Sequence, residues 1–408
     1  MNTAAASHAP LREMWLISAG HMLTHWYPAT FYLLLPLIGR ELGLSYTEIG
    51  FVMTAMYGVG ALTSMPGGML VDMVGKKGKL MALSLFWVGM PYALISVTHS
   101  YWMVIACVCL VGIGNNLWHP AAIATLATRY PARKGFVLSL HGMGGNVGEA
   151  LAPLAIGALL ATWSWRTVVV VNILPGLVMA ALILIYVGAF SGERNRSETS
   201  APRRVGDYLH NFSQLFRNRA LMLISCATGL RTLTQSGLLT FLPVYLAYEM
   251  KYSPFAVGIC MAVLQLGGFI AAPVGGHLSD KLGRKRIIMS GMTVAGITIV
   301  GMALAAKTPW FVVFVALVGF FLYAMRPALQ AWAMDATPMN MRGSTVGLQF
   351  TFSAVGSALA PAICGMIADS YGIYMAFYFL AGTIVFANVM MLLMPAETSA
   401  HAHSTAAG

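Results

Sequence analysis

Apolar residues run along this chain in long stretches, and short polar segments interrupt them at regular intervals. A membrane-spanning helix needs about 20 predominantly apolar residues. Twelve stretches qualify, at residues 14–38, 46–71, 78–98, 101–128, 135–162, 166–190, 220–248, 254–278, 287–306, 310–336, 343–368 and 372–394. The pattern therefore predicts an all-α membrane protein with 12 transmembrane helices.

Two polar or glycine-rich patterns occur twice at the same offset. Residues 68–77 and 276–285 share the sequence G-x-L-x-D-x-x-G followed by two basic residues, 208 positions apart. The pattern G-x4-P-x3-G begins at Gly148 in span 5 and at Gly356 in span 11, again 208 positions apart. Two copies of one hydrophobic unit predict two pseudo-symmetric six-helix bundles.

A polar stretch between spans 6 and 7 separates the two copies. It divides the chain into an N-terminal bundle of residues 1–190, a cytoplasmic linker of residues 191–219 and a C-terminal bundle with a short tail, residues 220–408. The end of the linker, from Asp207 to Arg219, has the pattern of a short amphipathic helix at the membrane surface.

Composition and charge place the chain in a membrane. It is 58% hydrophobic and 9% charged, with a mean hydropathy of +0.74, whereas soluble domains are about 25% charged. Of the 24 Lys and Arg residues, 18 lie on one side of the predicted spans. This bias predicts a multi-pass inner-membrane protein with both termini in the cytoplasm. The basic loops face anionic lipid, so the net charge of +11 does not indicate nucleic-acid binding.

The duplicated loop motif, the 12 spans and the basic central loop resemble the major facilitator superfamily over the whole chain. The resemblance implies a monomer that alternates access to a central cavity. It also implies a gating role for the two motif loops, in which glycines permit a tight turn and each aspartate accepts from backbone N–H groups of a neighbouring helix. The predicted gating residues are Gly68, Asp72, Gly75, Lys76, Gly276, Asp280, Gly283 and Arg284.

A narrower resemblance lies in spans 4 and 5. Residues 112–120 read GIGNNLWHP and residues 144–148 read GGNVG, which is similar to the fosmidomycin-resistance branch of the superfamily. That branch implies a drug exporter driven by proton exchange, and this is the first alternative to the function argued below.

Ionisable side chains inside the spans need a reason, because each costs about 2.5–3.5 kcal/mol at mid-bilayer on insertion scales. Away from the span ends they are His21, His25, His119, His141, Glu149, Arg231 and Arg326. Spans 3, 6, 9 and 12 carry none away from their ends. In the superfamily that the chain resembles, these four spans are the outer, lipid-facing helices.

Arg231 and Arg326 are the most specific of these residues. Arginine stays charged and binds carboxylate, phosphonate or sulfonate groups through two parallel hydrogen bonds. Glu149 is the one acid at depth, so an internal ion pair would still leave one arginine for a ligand. The sequence therefore predicts a small organic anion as substrate. The predicted substrate-binding residues are Arg231, Arg326, His119, Asn115, Gln235, Tyr323 and Gln330.

Three further residues are predicted to couple transport to protons or another ion. A buried glutamate such as Glu149 and the histidines His21 and His25 titrate near neutral pH. His21 and His25 are four residues apart and share one helix face. The alternative is that each side chain only forms a hydrogen bond with a neighbouring helix.

The sequence favours a transporter over other classes of protein. We find no phosphate-binding glycine loop, no nucleophile–base pair, no metal cluster and no metal-ligand spacing among the cysteines, so neither an enzyme nor a cofactor or metal site is expected. A transporter-like sensor that moves no substrate is a further alternative, but it would need a signalling domain that this sequence does not contain.

Overall fold

The computed structural model describes residues 11–187, 215–305, 308–338 and 341–394, which form α-helices joined by short turns. The helices of the first half are α1 (Leu11–Leu42), α2 (Tyr46–Val74), α3 (Lys77–Val97), α4 (Tyr101–Arg129), α5 (Lys134–Leu160), α6 (Trp165–Val171) and α7 (Ile173–Tyr186). Those of the second half are α8 (Arg219–Tyr248), α9 (Pro254–Leu282), α10 (Arg284–Leu304), α11 (Trp310–Asp335), α12 (Arg342–Tyr371) and α13 (Ile373–Leu392).

The predicted spans fall on these helices, and only span 6 is divided, between α6 and α7. Asn172 lies at the break, where its side chain accepts from Trp26 Nε1 at 2.7 Å. Nine stretches within the described ranges are long and apolar enough to cross a membrane. The predicted amphipathic helix is outside the described residues except for residues 215–219, and so are tail residues 1–10 and 395–408.

Large apolar side chains are exposed along the helices of predicted spans 3, 6, 9 and 12, which carry no ionisable residue away from their ends. Examples are Phe86 on α3, Ile185 on α7, Ile297 on α10 and Phe386 on α13. Exposed apolar surface of this extent suits contact with lipid chains rather than water.

Contacts divide the chain into two compact units, which we describe separately. Unit 1 comprises residues 1–200, 237–265 and 357–376, and unit 2 comprises residues 201–236, 266–356 and 377–408. These units cross the predicted domain boundary because α8, α9, α12 and α13 each contribute one end to unit 1. The division into bundles at residues 190 and 220 stays a prediction.

The repeated glycines of spans 5 and 11 bring helix backbones together in both units. In unit 1, a Cβ atom at Gly148 on α5 would collide with the carbonyl oxygen of Met22 on α1. In unit 2, a Cβ atom at Gly356 on α12 would collide with the carbonyl oxygen of Gly229 on α8. Close packing of helices therefore explains why glycine stands at these positions.

Two further contacts within unit 1 join helices from opposite halves of the sequence, and we call them the glycine seams. The seams carry Gly50 and Gly365 between α2 and α12, and Gly157 and Gly258 between α5 and α9. A Cβ atom at Gly50 would collide with the carbonyl oxygen of Pro361, and one at Gly258 with that of Pro153. The two collisions are related by the 208-residue offset.

The start of α2 is capped by residues beside it in the sequence and by a residue of α12. The Ser45 hydroxyl accepts from Glu48 N at 3.2 Å, and the Glu48 carboxylate accepts from Ser45 N at 2.8 Å. Asp369 on α12 accepts from Tyr46 N at 2.9 Å and from Thr47 N at 2.8 Å. A carboxylate at a helix N-terminus satisfies free N–H groups and favours the helix dipole, so Asp369 strengthens this glycine seam.

Candidate functional site

Four histidine rings form a cluster in unit 1, where α1, α4 and α5 meet. His21 Nδ1 donates to the carbonyl oxygen of His141 at 2.6 Å, and its Nε2 lies 3.2 Å from His119 Nε2. The rings of His21 and His141 are stacked, with centroids 3.9 Å apart. His25, one turn along α1, lies with its ring centroid 4.7 Å from that of His21. We call His21, His25, His119 and His141 the histidine cluster.

Glu149 on α5 borders the histidine cluster. Its Oε1 atom lies 2.7 Å from His25 Nδ1, and its Oε2 atom accepts from Gln265 Nε2 at 3.1 Å. The side chains of His25 and Glu149 are about 30% and 27% exposed, so neither is fully enclosed by protein. Two predicted coupling residues are thus in direct contact, and His21 lies beside them.

Gly145 allows the rings to reach this position. A Cβ atom there would lie 2.8 Å from His21 Cε1 and 2.9 Å from His25 Cδ2. Since real Cβ atoms do not approach so closely, any larger residue would move the rings. The same glycine-rich face of α5 that packs on α1 therefore also makes room for the cluster.

Arg231 is buried in unit 2, on α8. Its Nη1 atom donates to Gln235 Oε1 at 2.9 Å and to the carbonyl oxygen of Leu322 at 3.0 Å, and its Nη2 atom donates to Thr232 Oγ1 at 3.2 Å. Its Nε atom is buried without a hydrogen-bond partner among the described residues. All these partners are neutral, so the guanidinium charge is solvated but not neutralised.

Arg326 on α11 belongs to the same unit and is exposed, as is Gln330 one turn further along. It lies close enough to Arg231 for the two positive charges to repel each other, and Tyr323 lies close enough to interact electrostatically with the Arg231 charge. Tyr323 is buried against Gly268, where a Cβ atom would meet its ring at 2.5 Å. We call Arg231 and Arg326 the arginine pair, and the residues described beside them its surround.

Within unit 2, no carboxylate among the described residues lies within ion-pairing distance of Arg231 or Arg326. Within unit 1, Glu149 contacts His25 and Gln265. The sequence left open an ion pair between Glu149 and an arginine, and that alternative stays open.

The two motif loops make the expected turns. Gly75 and Gly283 have φ angles of 69° and 94°, which favour glycine. In unit 2, Arg284 pairs with Asp280 and lies 3.5 Å from Asp335 at the end of α11. The side chain of Asp72 is outside the described residues.

In the second copy of the motif, close contact between helix backbones occurs one residue before the first motif glycine. A Cβ atom at Gly275 would collide with the carbonyl oxygen of Ala324, whereas one at Gly276 would meet Pro327 at an ordinary 3.7 Å. Helix rotation decides which of two adjacent glycines faces the neighbouring helix, and the motif does not encode it.

The structure adds two members to the site and one structural carboxylate. His141 was assigned no role from the sequence, yet its ring stacks on His21 and its carbonyl oxygen accepts from His21 Nδ1. Gln265 on α9 donates to the Glu149 carboxylate. Asp369 drew no attention because nothing in the sequence links it to the start of α2. No metal site was expected, but the fold brings together three histidines that could hold a metal ion, namely His21, His25 and His119.

A duplicated frame of apolar helices with buried ionisable groups defines a membrane transport protein. The sequence profile of the Major Facilitator Superfamily matches residues 14–245 and, a second time, residues 224–408. The chain therefore belongs to the major facilitator superfamily and is a secondary transporter, not an enzyme. The predicted fold, 12 transmembrane helices in two pseudo-symmetric six-helix bundles, is confirmed.

Known proteins that resemble the chain share about a quarter of its sequence over most of its length. The fosmidomycin resistance protein of Escherichia coli (strain K12) is 24% identical over 367 residues, 88% of this chain and 87% of that protein. The phosphoglycerate transporter protein of Salmonella typhimurium (strain LT2) is 23% identical over 386 residues, 87% of this chain and 82% of that protein. The hexuronate transporter of Bacillus subtilis (strain 168) is 24% identical over 378 residues, with 88% of each chain covered.

Solved structures of the same fold agree with the assignment. A bacterial homolog of the human lysosomal transporter Spinster, in an inward-facing and occupied conformation, matches with a TM-score of 0.80 at 16% identity, covering 93% of this chain and 95% of that chain. At this level of identity the likeness shows the fold alone.

Proposed function

We propose that this transporter moves a small organic anion across the inner membrane by alternating access, coupled to a proton or another cation. The observation that carries the proposal is the arginine pair. Arg231 and Arg326 place two positive charges in membrane-spanning helices, and within unit 2 no carboxylate among the described residues pairs with either. A buried charge without a counter-charge is costly, and an anionic substrate would supply one.

The surround of the arginine pair suits this role. Arg231 is held by neutral acceptors from Gln235, Thr232 and the Leu322 carbonyl, which orient its guanidinium without neutralising it. Arg326 and Gln330 are exposed and offer donors. His119 and Asn115 of unit 1 were also predicted to bind substrate and remain part of the proposal.

The names of several relatives fit an anionic substrate. They include transporters of phosphoglycerate and hexuronate and a probable sulfoacetate transporter. Phosphate, carboxylate and sulfonate groups all suit bidentate recognition by arginine.

We propose that Glu149, His25 and His21 form the coupling group. A carboxylate in contact with an imidazole binds a cation, and both side chains are accessible. Replacing Glu149 by Gln should lower gradient-driven uptake in proteoliposomes roughly tenfold or more, because coupling energies are typically about 1–3 kcal/mol. Exchange of substrate at equilibrium should continue. Equal loss of both activities would contradict the coupling role.

The remaining predictions belong to the same proposal. The termini lie in the cytoplasm, the protein acts as a monomer in contact with membrane lipid, and the two motif loops gate its movements. Within unit 2, the contacts of Arg284 with Asp280, Ser279 and Asp335 support gating, because such contacts can form in one conformation and break in another.

Proton-coupled drug export is the second candidate. It is favoured by the similarity to the fosmidomycin resistance protein and to multidrug resistance protein MdtG of Yersinia enterocolitica, which is 24% identical over 364 residues. This function predicts apolar ligands and tolerance of arginine loss.

The test is a thermal-shift screen of the purified full-length protein in detergent. It compares small carboxylates, phosphonates and sulfonates with lipophilic cations on the wild type, on Arg326→Ala and on the matched control Arg286→Ala, which alters an exposed arginine. Stabilisation by an anion that Arg326→Ala removes and Arg286→Ala keeps supports the anion proposal. Stabilisation by apolar or cationic drugs in all three proteins favours the exporter.

A further inference from the structure

Three histidine side chains in unit 1 bring their ring nitrogens close together. His21 and His25 lie one turn apart on α1, and His119 lies on α4. One ring nitrogen of each lies within 4.8 Å of those of the other two, and His21 Nε2 and His119 Nε2 are 3.2 Å apart. Two nitrogens bound tetrahedrally to Zn²⁺ at about 2.0–2.1 Å are about 3.3 Å apart, so this pair already has the spacing of two metal ligands.

The opposite nitrogen of each ring faces an oxygen atom. The Nδ1 contacts are the His141 carbonyl at 2.6 Å from His21, the Glu149 carboxylate at 2.7 Å from His25 and the Asn115 carbonyl at 3.4 Å from His119. Because the oxygens at 2.6 and 2.7 Å accept hydrogen bonds, Nδ1 of His21 and of His25 carries the hydrogen, and the Nε2 atom of each presents a lone pair. Metal-binding histidines in proteins are oriented in this way by carbonyl or carboxylate partners.

His119 Nε2–H can then donate to the lone pair on His21 Nε2 at 3.2 Å. A metal ion that takes the place of this hydrogen bond binds both Nε2 atoms, with the hydrogen of His119 on Nδ1, which faces the Asn115 carbonyl. His25 completes the group of three ring nitrogens that lie within 4.8 Å of one another. Its side chain is about 30% exposed, which leaves the group open to an entering ion.

Buried polar atoms beside the cluster also lack protein partners. Both ring nitrogens of His141 and the side-chain oxygen of Asn115 are buried without a hydrogen bond to any described residue. Buried groups of this kind usually contact an ordered water or an ion. Gly145 adds space, because a Cβ atom there would occupy the volume next to His21 Cε1 and 3.0 Å from His25 Nε2.

We propose that His21, His25 and His119 bind a divalent transition-metal ion of the zinc class through their Nε2 atoms, with a fourth coordination position open. Three imidazoles with one open position are an established ligand set for Zn²⁺. Glu149 acts as the outer partner that orients His25. The assignment goes beyond the transport of an anion, and metal binding is measurable whether or not that proposal holds.

The experiment measures Zn²⁺ affinity of the purified, untagged full-length protein in detergent by competition with a chromophoric chelator, without any organic anion. We expect one ion per chain and a Co²⁺ derivative with the visible absorption of a four-coordinate site. His119→Gln and His25→Gln should weaken Zn²⁺ binding by about 100-fold or more, and Glu149→Gln by about 10–100-fold, the effect typical of an outer partner.

Matched variants separate the site from other histidines. Gly145→Ala removes no ligand but should weaken binding by displacing the rings, while Gly142→Ala on the same helix should not, since a Cβ atom at Gly142 meets no atom within 4 Å. His277→Gln, which alters an exposed histidine, should also leave the affinity unchanged. Absence of Zn²⁺ binding by the folded wild type overturns the proposal. So does binding that His25→Gln, His119→Gln and Gly145→Ala leave intact, which would assign the metal to histidines such as His401 and His403.

Discussion

The two halves of this chain repeat the same helix contacts but not the same chemistry. Gly148 packs on the α1 backbone in unit 1, and Gly356, 208 residues later, packs on the α8 backbone in unit 2. Yet Glu149 corresponds to Ser357 at that offset, and His119 nearly corresponds to Arg326, at an offset of 207. Duplication thus retained the packing frame, and the polar side chains diverged into a histidine–glutamate cluster and an arginine pair.

The two glycine seams also differ, and the difference follows from the N–H groups at the helix start in each seam. In one seam, Asp369 accepts from the backbone N–H groups of Tyr46 and Thr47. In the other, Ala161 corresponds to Asp369, and Pro254 corresponds to Tyr46. Proline has no N–H group to satisfy at a helix start, so the seam with no corresponding carboxylate also has less need of one.

The largest expected effect comes from removing one charge of the arginine pair in unit 2. Arg231→Ala should weaken binding of the anion found in the thermal-shift screen by about 30-fold or more, because losing one partner of a buried charge-assisted contact costs about 2–5 kcal/mol. Equilibrium binding in detergent measures this. Arg219→Ala, which alters an arginine at the start of the same helix, is the matched control. An unchanged affinity in Arg231→Ala would show that the anion binds elsewhere.

Substitution of the repeated glycines should lower stability alike in both halves. Gly148→Ala and Gly356→Ala each force a Cβ atom into a backbone carbonyl and should each lower stability by about 1–3 kcal/mol, the usual cost of overpacking. Apparent melting temperatures in detergent provide the comparison.

Controls for the frame lie on the same two helices. Gly142→Ala and Gly347→Ala add a Cβ atom that meets nothing within 4 Å, and they should be neutral or stabilise α5 and α12 by up to about 1 kcal/mol, since alanine favours helix. If all four variants melt alike, close backbone packing is not the reason for the repeated glycines.

A smaller effect should distinguish the two seams. Asp369→Asn leaves one acceptor where two N–H groups donate, and loss of a cap typically costs about 0.5–2 kcal/mol. We expect a lower melting temperature and faster hydrogen exchange confined to the start of α2, with the start of α9 unchanged. Equal acceleration at both helix starts would argue against an asymmetric role for Asp369.

The smallest expected effect is a pH dependence in the first half. Arg166 Nη2 donates to Glu41 Oε1 at 2.5 Å, and Trp165 Nε1 donates to Glu41 Oε2 at 2.6 Å. These hydrogen bonds hold the pKa of the Glu41 carboxyl below its usual value. At the 208-residue offset, Glu249 corresponds to Glu41 but Tyr374 corresponds to Arg166, so the ion pair is not repeated.

A lowered pKa in the folded state means that the contribution of Glu41 is complete above the usual carboxyl pKa and is lost as pH falls through the folded value. The pair is partly exposed, so its contribution should stay below about 1 kcal/mol. The stability difference between wild type and Glu41→Gln should therefore be constant near neutral pH and shrink below about pH 4. A difference that grows on acidification would contradict this assignment.

Much of the architecture followed from local pattern. The apolar stretches predicted the helices, and the repeated loop and glycine motifs predicted two related bundles, because a lipid environment requires long apolar helices and duplication preserves spacing. The i, i+4 pairs His21–His25 and Arg231–Gln235 also followed from helical geometry. Of the predicted sites, the coupling residues Glu149 and His25 do lie in contact, while their role stays a prediction.

Long-range partners were decided by tertiary structure alone. Glu149 meets Gln265, His21 meets His119 and His141, and Asp369 meets the start of α2, across 98 to 323 residues of sequence. Helix rotation chose Gly275 over Gly276 for close packing. Sequence spacing determines which side chains share a face of one helix, but the rotation and contact of separate helices depend on packing across the whole fold, and that packing brought the three histidine nitrogens together.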